Sequence, residues 1–203
     1  ACFQFGASGT YTLGKGNDKF TFQISESPFR RGVLNPDNDD IYAYNLMWSG
    51  AHDWFKAIYS INVMEYMSGK FINYIALGNR FEFGDLAFEL DFVNKATNAK
   101  FKLFDDFCLI GDLCWTANDA LNVFVKVSYD RNQSVIEDLC VAPGTDALRV
   151  GAGIEYFPLK NDRKLRLHLN CCYTDGQSPV ENTLRPNQTI VNAGLTWKLD
   201  FLN

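Results

Sequence analysis

From residue 2 to residue 201 the chain alternates apolar and polar side chains in short runs, eleven in all, separated by turn-forming or polar segments. Side chains point to opposite faces at successive positions of a strand, so each run predicts one strand with an apolar and a polar face. The cleanest is at 121–130, where Leu121, Val123, Val125, Val127 and Tyr129 oppose Asn122, Phe124, Lys126, Ser128 and Asp130. The same pattern predicts strands at 2–13, 19–25, 42–48, 55–63, 71–83, 86–92, 107–115, 148–156, 165–173 and 191–201. In the 71–83 run Asn73 and Asn79 break the apolar row. No segment carries convincing helical periodicity, so the fold class is all-β and antiparallel.

The hairpin from 148 to 174 shows the pattern twice. Leu148, Val150, Ala152, Ile154 and Tyr156 oppose Arg149, Gly151, Gly153 and Glu155, and Leu165, Leu167, Leu169, Cys171 and Tyr173 oppose Arg166, His168, Asn170 and Cys172. Tyr156 and Tyr173 are both expected at the end away from the 158–163 turn, with lipid on the apolar face and water on the other. Connections along the chain alternate between tight turns and longer polar links, as in a transmembrane barrel with short turns on one side and long loops on the other. The exception is the short link at 65–69.

Composition narrows the choice. The 203 residues are 47% hydrophobic, 15% aromatic and 21% charged, with a net charge of −5, so no broad basic footprint for nucleic acid exists. No run approaches the ~20 apolar residues of a spanning helix, whereas spanning strands need only ~9–11 alternating residues. The N-terminus lacks a basic-then-apolar signal segment. A soluble barrel or sandwich also alternates, with its apolar face inward. Two features favour the membrane. The apolar rows carry no charge, and Trp48, Trp115, Tyr129, Tyr156, Tyr173, Trp197 and Phe201 fall near strand ends, where interfacial girdles form. The polar rows mix Gly, Ser, Thr and Asn with occasional charges and with Ile58, Ile110 and Phe124, which suits a partly packed lumen. The expectation is one antiparallel transmembrane β-barrel domain over 1–203. Single-chain bacterial barrels normally have an even strand count. An odd eleven therefore means a missed strand or the C-terminal portion of a larger barrel.

Several strings carry a family resemblance: Ser27-Pro28-Phe29-Arg30, Tyr129-Asp130-Arg131-Asn132, the run from Gly151 to Leu159, Arg166-Leu167-His168 and Trp197-Lys198-Leu199. Together they resemble the C-terminal part of the phosphate-selective porin (porin O/P) family, over nearly the whole chain but through soft strand-and-turn patterns. The resemblance implies a barrel of about sixteen strands, often trimeric, that passes small hydrophilic or anionic solutes passively through the outer membrane of Gram-negative cells. The chain is about half the expected length and is unusually rich in cysteine, so the family's anion-binding ladder does not carry over.

By parity Lys19, Lys56, Arg80, Lys126, Arg149, Arg166 and Lys198 face the lumen. Rings of Arg or Lys select anions, and Arg149 with Arg166, on neighbouring strands, is the pair expected to act together. The competing reading is that these cations pair with Glu82, Glu89, Asp91, Asp112, Asp130, Glu155 and Asp200 and merely neutralise a wet interior. His168 on the same face is expected to be a hydrogen-bonded wall residue rather than a ligand. Cys108 and Cys114 lie roughly 20 Å apart on one strand, and Cys171 and Cys172 on opposite faces, so neither pair bridges. Cys2, Cys108, Cys114 and Cys171 read as small apolar fillers. With no CxxC and only His52 and His168, no metal site is expected. Asp37, Asp39 and Asp40 read as a solvated turn rather than a calcium loop, and Asn132-Gln133-Ser134 and Asn187-Gln188-Thr189 match glycosylation acceptors only formally. No GxSxG occurs. The expected function is therefore an outer-membrane porin, not an enzyme, without cofactor, partnered by lipid, by small solutes and by further copies in a homotrimer. The pore-lining candidates are Lys56, Arg80, Lys126, Arg149, Arg166, His168 and Lys198. The alternatives are an outer-membrane barrel enzyme acting on lipid and a soluble β-sandwich binding module.

Overall fold

Each of the eleven alternating runs forms a strand in the computed structural model, which describes residues 5–29, 40–97, 104–132, 146–159, 163–177 and 187–198. The strands are β1 (Gly6–Leu13), β2 (Asp18–Glu26), β3 (Tyr42–Ala51), β4 (Phe55–Met67), β5 (Lys70–Phe83), β6 (Leu86–Thr97), β7 (Asp106–Asn118), β8 (Leu121–Asn132), β9 (Asp146–Tyr156), β10 (Leu165–Gln177) and β11 (Gln188–Trp197). They form one antiparallel sheet in sequence order. Glycine sets two of the two-residue turns, with Gly69 at φ 72° and Gly84 at φ 60°, a region that side chains with a Cβ rarely enter. Among the described residues no helix is long and apolar enough to cross a membrane.

Register aligns the faces strand by strand. The row Tyr11, Phe20, Trp48, Tyr59, Leu77, Phe92, Leu109, Tyr129, Leu148 runs through nine strands as direct neighbours. One residue along, on the other face, lies the row Thr12, Lys19, Ser49, Ile58, Gly78, Asp91, Ile110, Ser128, Arg149, Thr174, Gln188. A slip of one residue at any seam would exchange the two faces, so the alternation fixes the pairing.

The same row reveals a slant. Thr12 is one residue from the end of β1 at its tight turn, whereas Gln188 is nine residues from the corresponding end of β11. The row thus climbs about eight residues in ten strand-to-strand steps, an inclination of roughly 30° at ~3.3 Å per residue and ~4.8 Å per step. Closed barrels tilt their strands by about 35–45°. Here the sheet stays open: β1 and β11 are not paired with each other and, being an even number of antiparallel steps apart, run in the same direction.

The sheet has almost no interior. Seven hydrophobic residues are buried among the described ones, while thirty-five large apolar or aromatic side chains are exposed, most of them on the apolar face. The one packed cluster, Tyr66 and Ile72 with Phe29, Met67 and Tyr74, lies at the end carrying the longer links. There the start of the β2–β3 link folds onto the overhang of β4: Ser27 Oγ donates to the Glu65 carbonyl at 2.5 Å, and the Phe29 and Tyr66 rings meet edge-on at 6.3 Å.

Three expectations are corrected. Strands β4, β6, β8, β9 and β10 run on past their apolar rows at the long-link end, and β7 at its tight-turn end, because backbone pairing continues after the side-chain pattern turns polar, as at Asn94, Lys95 and Arg131. Tyr156 does not lie away from the hairpin turn; it ends β9 beside it, opposite Leu121 and Leu167, while Tyr173 is at the far end opposite Val150. The first strand begins at Gly6, after Phe5, and the last begins at Gln188, three residues earlier than expected. Cys2, Asp37, Asp39, Ser134, Asp200 and Phe201 lie outside the described residues.

Candidate functional site

Charge on the sheet gathers on one face, and the strand register decides which charges meet. Lys56, Arg80, Glu89, Asp112 and Lys126 are direct neighbours across β4 to β8. Lys56 Nζ donates to Glu82 at 2.8 Å, and Arg80 Nε donates to the same carboxylate at 2.7 Å while its Nη1 donates to Glu89. Arg166 donates through Nη1 to Glu155 at 2.8 Å and through Nη2 to the Thr196 hydroxyl at 3.3 Å. Arg149 donates through Nη1 to Asp130. Lys126 stands apart: its ammonium is 3.8 Å from Asp112 and makes no hydrogen bond among the described residues.

Each of these five cations thus has a carboxylate neighbour. The pairs are well exposed, so each adds only ~0–1 kcal/mol to stability. Their effect is on the field instead, which they flatten along the charged face. Lys198 follows β11 at the tight-turn rim, exposed, its backbone N–H donating to the Lys164 carbonyl.

Arg149 and Arg166 do not form a pair. Arg149 is opposite Thr174, eight residues along β10 from Arg166, a separation of roughly 27 Å at ~3.4 Å per residue. Antiparallel pairing brings together residues equidistant from the turn, and these two are not. His168 is likewise different from its expected role as a hydrogen-bonded residue. Its ring covers Gly194 on β11, where a Cβ would fall 2.6 Å from the imidazole Cε1, and its buried Nδ1 has no hydrogen-bond partner. Phe124, apolar on a polar face, does the same for Gly153 on β9.

One cation escaped the sequence reading because residues 94–102 look like a polar link. Lys95 continues β6 on the charged face and donates to Asn132 Oδ1 at 3.0 Å, with Asp106 at 3.9 Å. The period-two series Asp91, Val93, Lys95 was the available signal. At the tight-turn end Asp18 gathers Trp48 Nε1 at 3.2 Å and His52 Nε2 at 3.5 Å, which spacing alone does not reveal.

Of the two asparagines that interrupt the apolar row of β5, Asn79 is satisfied locally, whereas the buried Asn73 Oδ1 has no hydrogen-bond partner among the described residues. The Tyr59 hydroxyl donates to Asn79 Oδ1 at 2.7 Å, and Asn79 Nδ2 donates to the Leu90 carbonyl at 3.2 Å. Aromatic rings collect near the tight turns on this face: Trp54 stacks on Phe81 at 6.1 Å and on Phe83 at 5.9 Å, and Trp48 packs on Tyr59 at 5.0 Å. A second group, Phe92, Phe107 and Tyr129, sits nearer the long-link end.

Three hollows open on the charged face. One of about 340 Å³ lies over Gly78 between Arg80 and Asp91, one of about 310 Å³ lies between Lys95 and Arg149, and one of about 220 Å³ lies over Gly151. Cys108, Cys114, Cys171 and Cys172 are free thiols, and no group of metal-ligating side chains comes together among the described residues. Neither His52 nor His168 hydrogen-bonds a serine or cysteine there. No protein-family model matches the chain, and no curated protein matches it significantly.

Proposed function

We propose that this sheet is part of an outer-membrane β-barrel of the porin type, its apolar face against lipid and its charged face lining a water-filled path for small hydrophilic solutes, anions included. The observation that carries the reading is the uncharged apolar band running through successive strands, with its side chains exposed. Burying a Val, Leu, Ile or Phe side chain gains about 1.5–3 kcal/mol. A face holding most of thirty-five exposed large side chains needs an apolar environment, and the aromatic groups at its two ends suit the two membrane interfaces.

The slant of the rows supports a barrel over a flat sheet, since inclined strands are what closure requires. Because β1 and β11 run in the same direction, closure with antiparallel seams throughout takes an odd number of further strands. Sixteen strands, the number the porin O/P resemblance implies, meets that condition. The paired charges argue for weak ion selectivity, so the solutes are distinguished more by size than by sign.

Reconstitution of the full chain, and of a version extended at its N-terminus if the natural protein is longer, into planar bilayers tests the proposal. Stepwise ohmic conductance with a small reversal potential in a salt gradient is expected. Failure of the extended protein to conduct, together with solubility without detergent, would replace this reading with a soluble β-sandwich.

A further inference from the structure

Gly151 is the centre of a three-by-three patch of the charged face. Phe124, Lys126 and Ser128 stand on β8, Gly153, Gly151 and Arg149 on β9, and Asn170, Cys172 and Thr174 on β10, each set opposite its neighbours in register. At Gly153 the missing side chain is covered by the Phe124 ring; at Gly151 no ring lies over the backbone, a Cβ there would border the Cys171 carbonyl oxygen at 3.2 Å and Cys172 Cβ at 3.6 Å, and a hollow of about 220 Å³ remains. Two cations border the hollow, Lys126 directly across the strand pair and Arg149 two residues along.

Both keep donors unused among the described residues. Lys126 makes no hydrogen bond among the described residues and touches Asp112 only at 3.8 Å, and Arg149 uses Nη1 alone, leaving Nε and Nη2 free. Arg80 and Arg166, by contrast, each hold two partners. An ammonium and half a guanidinium fork, set beside an apolar floor and an aromatic ring, match one chemistry: a carboxylate attached to a small flat apolar group.

We propose that the Gly151 hollow is a binding subsite for small aromatic carboxylates, the carboxylate between Lys126 and Arg149 and the ring over Gly151 beside Phe124. The assignment rests on the charged face being open to water, as in the channel reading. It deepens that reading by naming a solute class that would dwell on the wall.

Calorimetric titration of the refolded full chain in detergent with sodium benzoate tests it without requiring conductance. One saturable site is expected. Lys126→Gln and Arg149→Gln should each weaken it about tenfold or more, through loss of one charge-assisted hydrogen bond. Lys126→Arg should retain binding, and Lys15→Gln, which removes the same charge from the β1–β2 turn, should leave it unchanged. Acetate, lacking the ring, should bind at least several-fold more weakly. Absence of saturable benzoate binding to the folded protein overturns the subsite, as does equal affinity for acetate or equal weakening by Lys15→Gln. A protein that conducts but does not bind benzoate loses the subsite alone.

Discussion

Phe124 on β8 lies across Gly153 on β9 so closely that a Cβ at the glycine would fall 2.4 Å from the ring's Cζ. The ring shields a bare stretch of backbone on a face otherwise wetted by charge. Gly153→Ala should therefore force the ring aside and cost about 1–3 kcal/mol, whereas in a Phe124→Ala background the same change should cost less, keeping only the part due to Asn170 Cβ, 2.9 Å from the new methyl. Denaturant unfolding of the four proteins in detergent reads this as a strongly non-additive cycle. Additivity would mean that ring and glycine do not share the space.

Phe22 and Gln23 are neighbours in sequence but face opposite ways in mid-β2. If the apolar face meets lipid, Phe22→Arg should destabilise the folded protein in bilayers by about 2–4 kcal/mol. Gln23→Arg, on the other face, should change it far less. Reversible unfolding from vesicles measures both, and equal effects would remove the sidedness on which the channel reading depends.

The Tyr59 hydroxyl keeps Asn79 supplied with a donor on the apolar face. Tyr59→Phe should leave that amide oxygen short of a partner and cost about 1–3 kcal/mol. Replacing both residues with apolar ones should recover most of the loss. An unaltered unfolding midpoint in Tyr59→Phe would show that water reaches Asn79, which is incompatible with lipid there.

Arg149 and Arg166 stand at opposite ends of one hairpin, each beside its own carboxylate. Arg149→Glu and Arg166→Glu should each move the reversal potential toward cation selectivity, and their shifts should add because the sites are far apart relative to the ~8–10 Å Debye length. An unchanged potential in the double variant would remove both from the conduction path.

The period-two alternation made the strands and their two faces legible, because one face of each strand must avoid water while the other does not. It did not reveal where the strands end. Asn94, Lys95 and Arg131 look like the start of links, yet the backbone ladder carries on through them. Nor did it say which charges meet. Parity puts Arg149 and Arg166 on one face, but position along the face comes from distance to the turn, and the turn places Arg149 opposite Thr174. The coverage of Gly153 by Phe124 and of Gly194 by His168 was invisible for the same reason, since cross-strand neighbours are known only once the register is. An aromatic residue on a polar row and a glycine on the next strand were the available hint.

The climb of the hydrogen-bonded rows bears on how a solute would experience such a wall. Lys56, Arg80, Glu89, Asp112 and Lys126 are neighbours in register, so they share the slant of every other row and do not encircle an opening at one depth. A permeating ion would follow a helical ramp of charge that runs two cations, two carboxylates, then a cation, without a single ring to act as a filter. A dipolar solute would have to turn as it advances to keep each end beside its opposite sign, so its passage would depend on how freely it rotates as well as on its width.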